Sequence, residues 1–184
     1  MLPLLFLVGI LLFVLIVIWS IYNGLVRAKN VVDEAFSGID VQLKKRFELI
    51  PNLVEAVKGY NEYEAVTLAK IVEQRSGVDG SFKETVAFDT SITNTLKRFR
   101  IQVEAYPDLK ANSQFLKLMD SLSSVENELS MARRYYNGAT RDLNIKVDVF
   151  PNILFAKMMG FEKAAFYEID ENEKSAPTVS LNKD

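Results

Sequence analysis

The 184-residue chain contains no cysteine and no histidine. Without a thiol there is no disulfide, no thiolate nucleophile, no iron–sulfur ligation and no lipid anchor carried on cysteine. Without an imidazole, the commonest general base and the commonest zinc ligand are both missing. Charge of either sign is not in excess: 22 basic residues face 24 acidic ones, for a net charge of −2 and a pI of about 5.4. A nucleic-acid binder needs a basic footprint to displace counterions, so nucleic acid is not an expected partner. Glycine and proline are sparse, at 8 and 5 residues, and no glycine-rich phosphate loop or nucleophile motif occurs. The expectation is a non-enzymatic protein with no catalytic residue, no cofactor and no metal.

What is present begins with a long uncharged run. From Leu2 to Ile18 the chain is apolar apart from Pro3 and Gly9, and Trp19, Ser20, Ile21 and Tyr22 follow. As a helix, Leu2 to Tyr22 would extend about 31 Å, the thickness of a bilayer's hydrocarbon core. Trp19 and Tyr22 then stand at the level of an interfacial aromatic belt, with the first cations, Arg27 and Lys29, just beyond. A cleaved signal peptide wants a basic leader, a shorter apolar stretch and a small-residue cleavage site. None is clear, so residues 1–26 read as a retained transmembrane anchor. The positive-inside rule puts the N-terminus outside and the following domain in the cytoplasm. The lipid bilayer is thus the first expected partner.

Residues 27–169 read as a helical domain. Apolar residues recur at three- and four-residue steps along Val32, Ala35, Ile39, Leu43, Phe47, Ile50, Val54 and Val57, resuming at Leu68 and Val72. That is the stripe of an amphipathic helix. The stripe keeps its phase across Pro51, which favours a kinked continuous rod over a reversal, one that continues from the anchor without a loop. The stretch Ser76 to Gly80 is the strongest turn signal. Ser81 followed by Glu84 has capping-box spacing, so a helix starts there and runs to Pro107. Asp108 is expected to cap the next helix. Its apolar positions, from Ala111 and Phe115 through Leu122, Leu129, Tyr136 and Leu143 to Phe150, approach a heptad repeat. A short apolar helix, Asn152 to Met159, ends at Gly160. The tail, residues 170–184, is polar and expected to be disordered. The fold class is all-α: an N-terminal transmembrane helix followed by an antiparallel, four-helix-type bundle with long helices.

The chain resembles the LemA family over nearly its whole length. The residues that carry the likeness are Tyr22-Asn23-Gly24-Leu25-Val26 at the membrane exit and Val32-Asp33-Glu34-Ala35-Phe36. They continue through Ile39 to Val54, around Phe47-Glu48-Leu49-Ile50-Pro51-Asn52, and through Val57-Lys58-Gly59-Tyr60. Downstream the likeness rests on Ala132-Arg133-Arg134-Tyr135-Tyr136-Asn137, Phe150-Pro151 and Gly160-Phe161. The resemblance implies a helical bundle behind one transmembrane helix of a bacterial cytoplasmic (inner) membrane. It also implies no established catalytic activity, with links to envelope functions, protein export and magnetosome membranes. At Tyr63 this chain departs from the many members that carry histidine.

Asp40, Gln42, Arg46 and Asn52 lie on either side of Pro51. With Arg133, Arg134 and Asn137 of the last long helix they form a candidate patch. It serves either as a partner-docking surface or, when paired internally, as a polar network that fixes helix register. The internal pairing is the favoured reading. Asp33, Glu34, Asp40 and Glu48 read as a solvated face rather than a metal site, because a bundle di-metal centre uses Glu-x-x-His pairs. Lys44-Lys45-Arg46 is a basic run that could meet anionic lipid only if the domain lay on the membrane. Gly59 and Gly138 each cost about 1 kcal/mol within a helix, and close helix packing is the expected compensation. The expected function is a membrane scaffold that self-associates as a homo-oligomer, because the second helix is too short to cover its neighbours. The alternative is an adaptor docking to a membrane protease or an export-associated protein.

Overall fold

The structure is a computed structural model that describes residues 2–59, 69 and 81–168. The described residues form five helices and no strand: α1 Leu2–Lys58, α2 Phe82–Val103, α3 Pro107–Ala111, α4 Ser113–Asp148 and α5 Asn152–Ala156. The Ser76–Gly80 turn, the stripe residues Leu68 and Val72, and the polar tail lie outside the described residues. The chain divides into two compact units. The first joins Met1–Gln42 to Glu126–Phe166, and the second joins Leu43–Val125 to Tyr167–Asp184.

Helix α1 runs without a loop from the apolar N-terminal stretch into the amphipathic stripe, as the unbroken phase predicted. An 18-residue window near its start is long and apolar enough to cross a membrane, and nearly all of it is exposed. That exposure distinguishes it from the core helix of a soluble protein, which would be covered. From Ile21 onward one face is buried, through Leu25, Ala28, Val32, Ala35 and Ile39. The steps alternate between four and three residues, which keeps the buried stripe on one side of the helix. Pro51 lies inside the helix and is exposed, so the carbonyl that its ring deprives of a donor faces the solvent side.

In the second unit, Ile50, Leu53 and Val57 of α1 pack with Ile92, Leu96, Phe99 and Val103 of α2, and with Leu109, Phe115 and Leu122. Burying a large aliphatic or aromatic side chain contributes roughly 1.5–3 kcal/mol, so this cluster is the main source of the unit's stability. The Phe99 and Phe115 rings meet edge to face, 6.2 Å between centroids. Helix α2 begins where the capping-box spacing placed it: the Ser81 hydroxyl accepts the Glu84 N–H at 3.3 Å.

The start of the next long helix differs from the sequence expectation. Asp108 sits in the first turn of the five-residue α3, behind Pro107, and caps nothing longer. Asn112 caps α4 instead, its carboxamide oxygen accepting the N–H groups of Gln114 (2.9 Å) and Phe115 (3.2 Å). The reason is backbone geometry. A cap residue needs β-region angles, and Asn112 has them, at φ −73° and ψ 118°. The proline spends its helix-initiating preference on a single turn.

In the first unit, α4 runs antiparallel to α1. Tyr136 stands beside Phe36, 5.9 Å between centroids, while further along α4 the Lys146 ammonium donates to the earlier Gly24 carbonyl at 3.5 Å. Along α4 the buried positions Phe115, Leu122, Leu129, Tyr136 and Leu143 fall at seven-residue intervals. Helix α5 is shorter than expected, but an N–H···O bond from Met159 to Phe155 (2.9 Å) extends its turn. Gly160, at φ +77°, then closes it. Phe161 N–H donates to Ala156 O at 2.9 Å and Gly160 N–H to Lys157 O at 3.2 Å, the paired closure of a Schellman turn, which needs the left-handed conformation glycine permits. Ala156 is buried against Ile21 and Leu25, with Val17, Val147, Phe155 and Phe161 packed around them.

Close packing does not account for Gly59 and Gly138. A Cβ built at either meets no atom within 4 Å among the described residues. Gly138, inside α4, therefore carries the propensity penalty with no compensating contact among the described residues. Gly138→Ala is expected to raise unfolding free energy by about 1 kcal/mol, measured by urea denaturation. A loss of stability would show that the space is filled.

Candidate functional site

Of the seven residues of the candidate patch, Arg46 is the most deeply placed. It stands one turn before Pro51, with 1% of its surface exposed. Its two neighbours in the basic run, Lys44 and Lys45, are exposed, so the helix splits the run and turns one of three cations inward. The guanidinium meets the Asp89 carboxylate at 2.8 Å. It also donates to the Asp89 carbonyl and to the Thr93 hydroxyl, both at 3.1 Å. Asp89 and Thr93 share a face of α2 through their i, i+4 spacing. The other Asp89 oxygen accepts the Tyr167 hydroxyl at 2.7 Å, and the Tyr167 ring meets Phe82 edge-on at 5.9 Å. Phe47 and Phe88, 6.4 Å apart, lie beside the pair.

Three parts of the second unit are thereby tied at one carboxylate: α1 through Arg46, α2 itself, and Tyr167. A guanidinium this enclosed offers no surface to a ligand. Its chemistry is to fix which residue of α1 faces which residue of α2, since any slip would leave a charge buried alone. Asp89, Thr93 and Tyr167 were not singled out from the sequence. The available signal was that Arg46 lies seven residues beyond Ile39 and four before Ile50, on the inward stripe.

The remaining patch residues are not gathered at this point. Asn52 is exposed and borders a shallow groove of about 480 Å³ with Glu55, Gln114 and Lys117. Asp40 lies on the outer side of α1, where partial burial pushes its carboxyl above the ordinary carboxylate range. Gln42 is half-buried, and its side-chain oxygen is enclosed without a hydrogen-bond partner among the described residues. Arg133 and Asn137 are half-buried on α4 and both make interactions, while Arg134 is exposed. Among the described residues, no three carboxylates gather as a metal-holding group.

The first unit has its own polar fastening. Tyr136 donates its hydroxyl to the Ala165 carbonyl at 2.9 Å, and Asn144 exchanges two hydrogen bonds with the backbone of Ala164, at 2.8 and 3.0 Å. Burial pushes the Tyr136 phenol up; a Thr140 hydrogen bond opposes that, and the Asp33 charge adds to it. Together these bonds hold the strap after Gly160 against α4. Of the membrane-interface candidates, Trp19, Tyr22, Arg27 and Lys29 are all exposed.

Two outcomes test these environments. Arg46→Ala leaves the Asp89 carboxylate buried without its cation and is expected to cost about 3–5 kcal/mol, whereas the Arg46→Met/Asp89→Leu pair should recover most of that loss, both read by chemical denaturation. For Asp40 the raised folded pKa means that stability falls as pH rises through the carboxylate range. Asp40→Asn should therefore melt above the wild type at neutral pH, with the two converging below the ordinary value of 3.8.

The chain is 28% identical over 155 residues to Protein LemA of Metamycoplasma hominis, an alignment covering 83% of this chain and 71% of the relative. It is 22% identical over 175 residues to Magnetosome protein MamQ 2 of Paramagnetospirillum magneticum, covering 80% of this chain and 64% of that protein. A shorter alignment, 24% identical over 91 residues, relates half of the chain to a third of Magnetosome protein MamQ of Magnetospirillum gryphiswaldense. The chain thus spans less than two thirds of these magnetosome relatives. The LemA family model matches residues 35–181, from the stripe of α1 through the strap beyond Gly160, and the chain belongs to the LemA family.

Proposed function

We propose that this protein is a non-enzymatic scaffold, anchored in a bacterial inner membrane through the start of α1, that self-associates and organises envelope or membrane proteins. The observation that supports this most directly is an open apolar groove in the first unit. It is about 390 Å³, floored by Ala28 and Val31 of α1 and by Ala139 and Ile145 of α4, with Asp142 and Lys146 at its rim. Val31 is 39% and Ile145 51% exposed. An apolar strip rimmed by one acid and one base is self-complementary across a two-fold axis, where the acid of one copy meets the base of the other.

Arg27 and Lys29, exposed just past the apolar stretch, support a cytoplasmic placement of the helical domain. Relatives named as magnetosome proteins support a membrane-associated role. The adaptor reading shares the anchor but needs a different occupant for the groove.

The mass of the full chain in mild detergent, by light scattering, separates the two. The scaffold reading expects a defined multiple of the 20.9 kDa chain, reduced by Ile145→Glu without loss of helicity. A single chain at every concentration would overturn it and leave the adaptor.

A further inference from the structure

Resting on the reading of α1 as a membrane-spanning helix, we infer that the segment from Phe150 to Met158 is a second membrane contact. It seats in the boundary between headgroups and acyl chains on the bilayer face from which α1 emerges. The lipid surface is its partner.

Position comes first. Ala156 is buried against Ile21 and Leu25, and Val17 packs against the same cluster. The Phe161 ring meets Tyr22 edge-on at 5.8 Å. The segment is therefore fixed to the end of the apolar stretch. Val17 lies five residues before Tyr22, about 7.5 Å along a helix, which matches the roughly 5–10 Å to which interfacial elements sink.

Composition agrees. Phe150 is 79%, Ile153 51%, Leu154 60% and Met158 83% exposed, four large apolar side chains within nine residues that the described residues leave uncovered. Lys157, exposed among them, has an apolar stem long enough to carry its ammonium to the headgroups. The backbone is also prepared for a phase without water. Ile153 donates to Val149 O, Leu154 to Pro151 O, Met159 to Phe155 O, Gly160 to Lys157 O and Phe161 to Ala156 O, at 2.9–3.2 Å. Pro151 has no N–H to satisfy. An apolar medium demands such internal pairing, and a loop exposed to water does not.

The absence of cysteine makes the test direct. Full-length chains carrying single cysteines at Leu154→Cys or Met158→Cys, labelled with a polarity-sensitive fluorophore, are placed in vesicles of zwitterionic and anionic phospholipid. Leu12→Cys reports the anchor. Met131→Cys, about 24 Å along α4 from Val147, reports water. The expected result is a blue shift at Leu154→Cys and Met158→Cys, with quenching by lipids brominated near the headgroup end of the chain. Leu12→Cys should be quenched by mid-chain bromine and Met131→Cys by neither. Emission like that of Met131→Cys, with Leu12→Cys still quenched, overturns the inference and leaves the anchor standing. A blue shift without bromine quenching overturns it in favour of a second protein chain. No quenching at Leu12→Cys removes the anchor, and the inference with it.

Discussion

A carboxylate and a guanidinium buried together impose an all-or-none condition on the segments that deliver them. Arg46 and Asp89 are 1% and 2% exposed, and taking either ion out of water alone would cost several kcal/mol. Their 2.8 Å contact offsets that only when α1 and α2 meet in one register. The apolar cluster of Ile50, Ile92, Leu96 and Phe99 supplies the larger share of the stability, but aliphatic contacts tolerate sliding by a turn. The ion pair does not. Tyr167 shares the same condition, because its hydroxyl ends on the remaining Asp89 oxygen.

Much of this was readable from the residues, and the parts that were not share a cause. Three- and four-residue spacing gave the long helices, serine and glutamate three apart gave the start of α2, and glycine after a short apolar run gave the end of the α5 turn. Each is a local rule, satisfied within one turn of chain. Arg46 was legible as a member of a polar patch but not as a buried residue, because hydropathy places a charged side chain outside unless its partner is known. Asp89 lies 43 residues away, and no local pattern joins them. The choice between Asp108 and Asn112 as the cap of α4 turned on whether Pro107 opens a long helix or a single turn, and the same residue types are compatible with both. Gly138 resisted for another reason: its sequence signal pointed to a close contact, and no atom of the described residues comes within 4 Å of a Cβ built there.

The two compact units divide the work differently. In the second, apolar side chains from four helices surround the interior, which also holds the buried Arg46–Asp89 ion pair. In the first, two antiparallel helices form a layer with a strap on it, and a layer of two helices has a second side. That is where the groove of Ala28, Val31, Ala139 and Ile145 lies. The fastening of the strap through Tyr136, Asn144 and Gly160 brings Phe161 onto Tyr22, at the foot of the apolar stretch.

Helix α1 changes character between Val17 and Ile21. Before that point its side chains are apolar and exposed in every direction; beyond it a single stripe is buried. The consequence concerns how such a chain can vary. Adding or deleting a residue within the uniform part shifts the helix by about 1.5 Å along its axis, a small adjustment to bilayer thickness that no neighbour registers, because rotation leaves a uniform cylinder unchanged. The same event after Ile21 turns every later side chain by about 100° and carries Ala28, Val32 and Ile39 off the face that α4 covers. Length in this chain is therefore free to change at one end of α1 and locked at the other, with the boundary set where Ala156 first touches the helix.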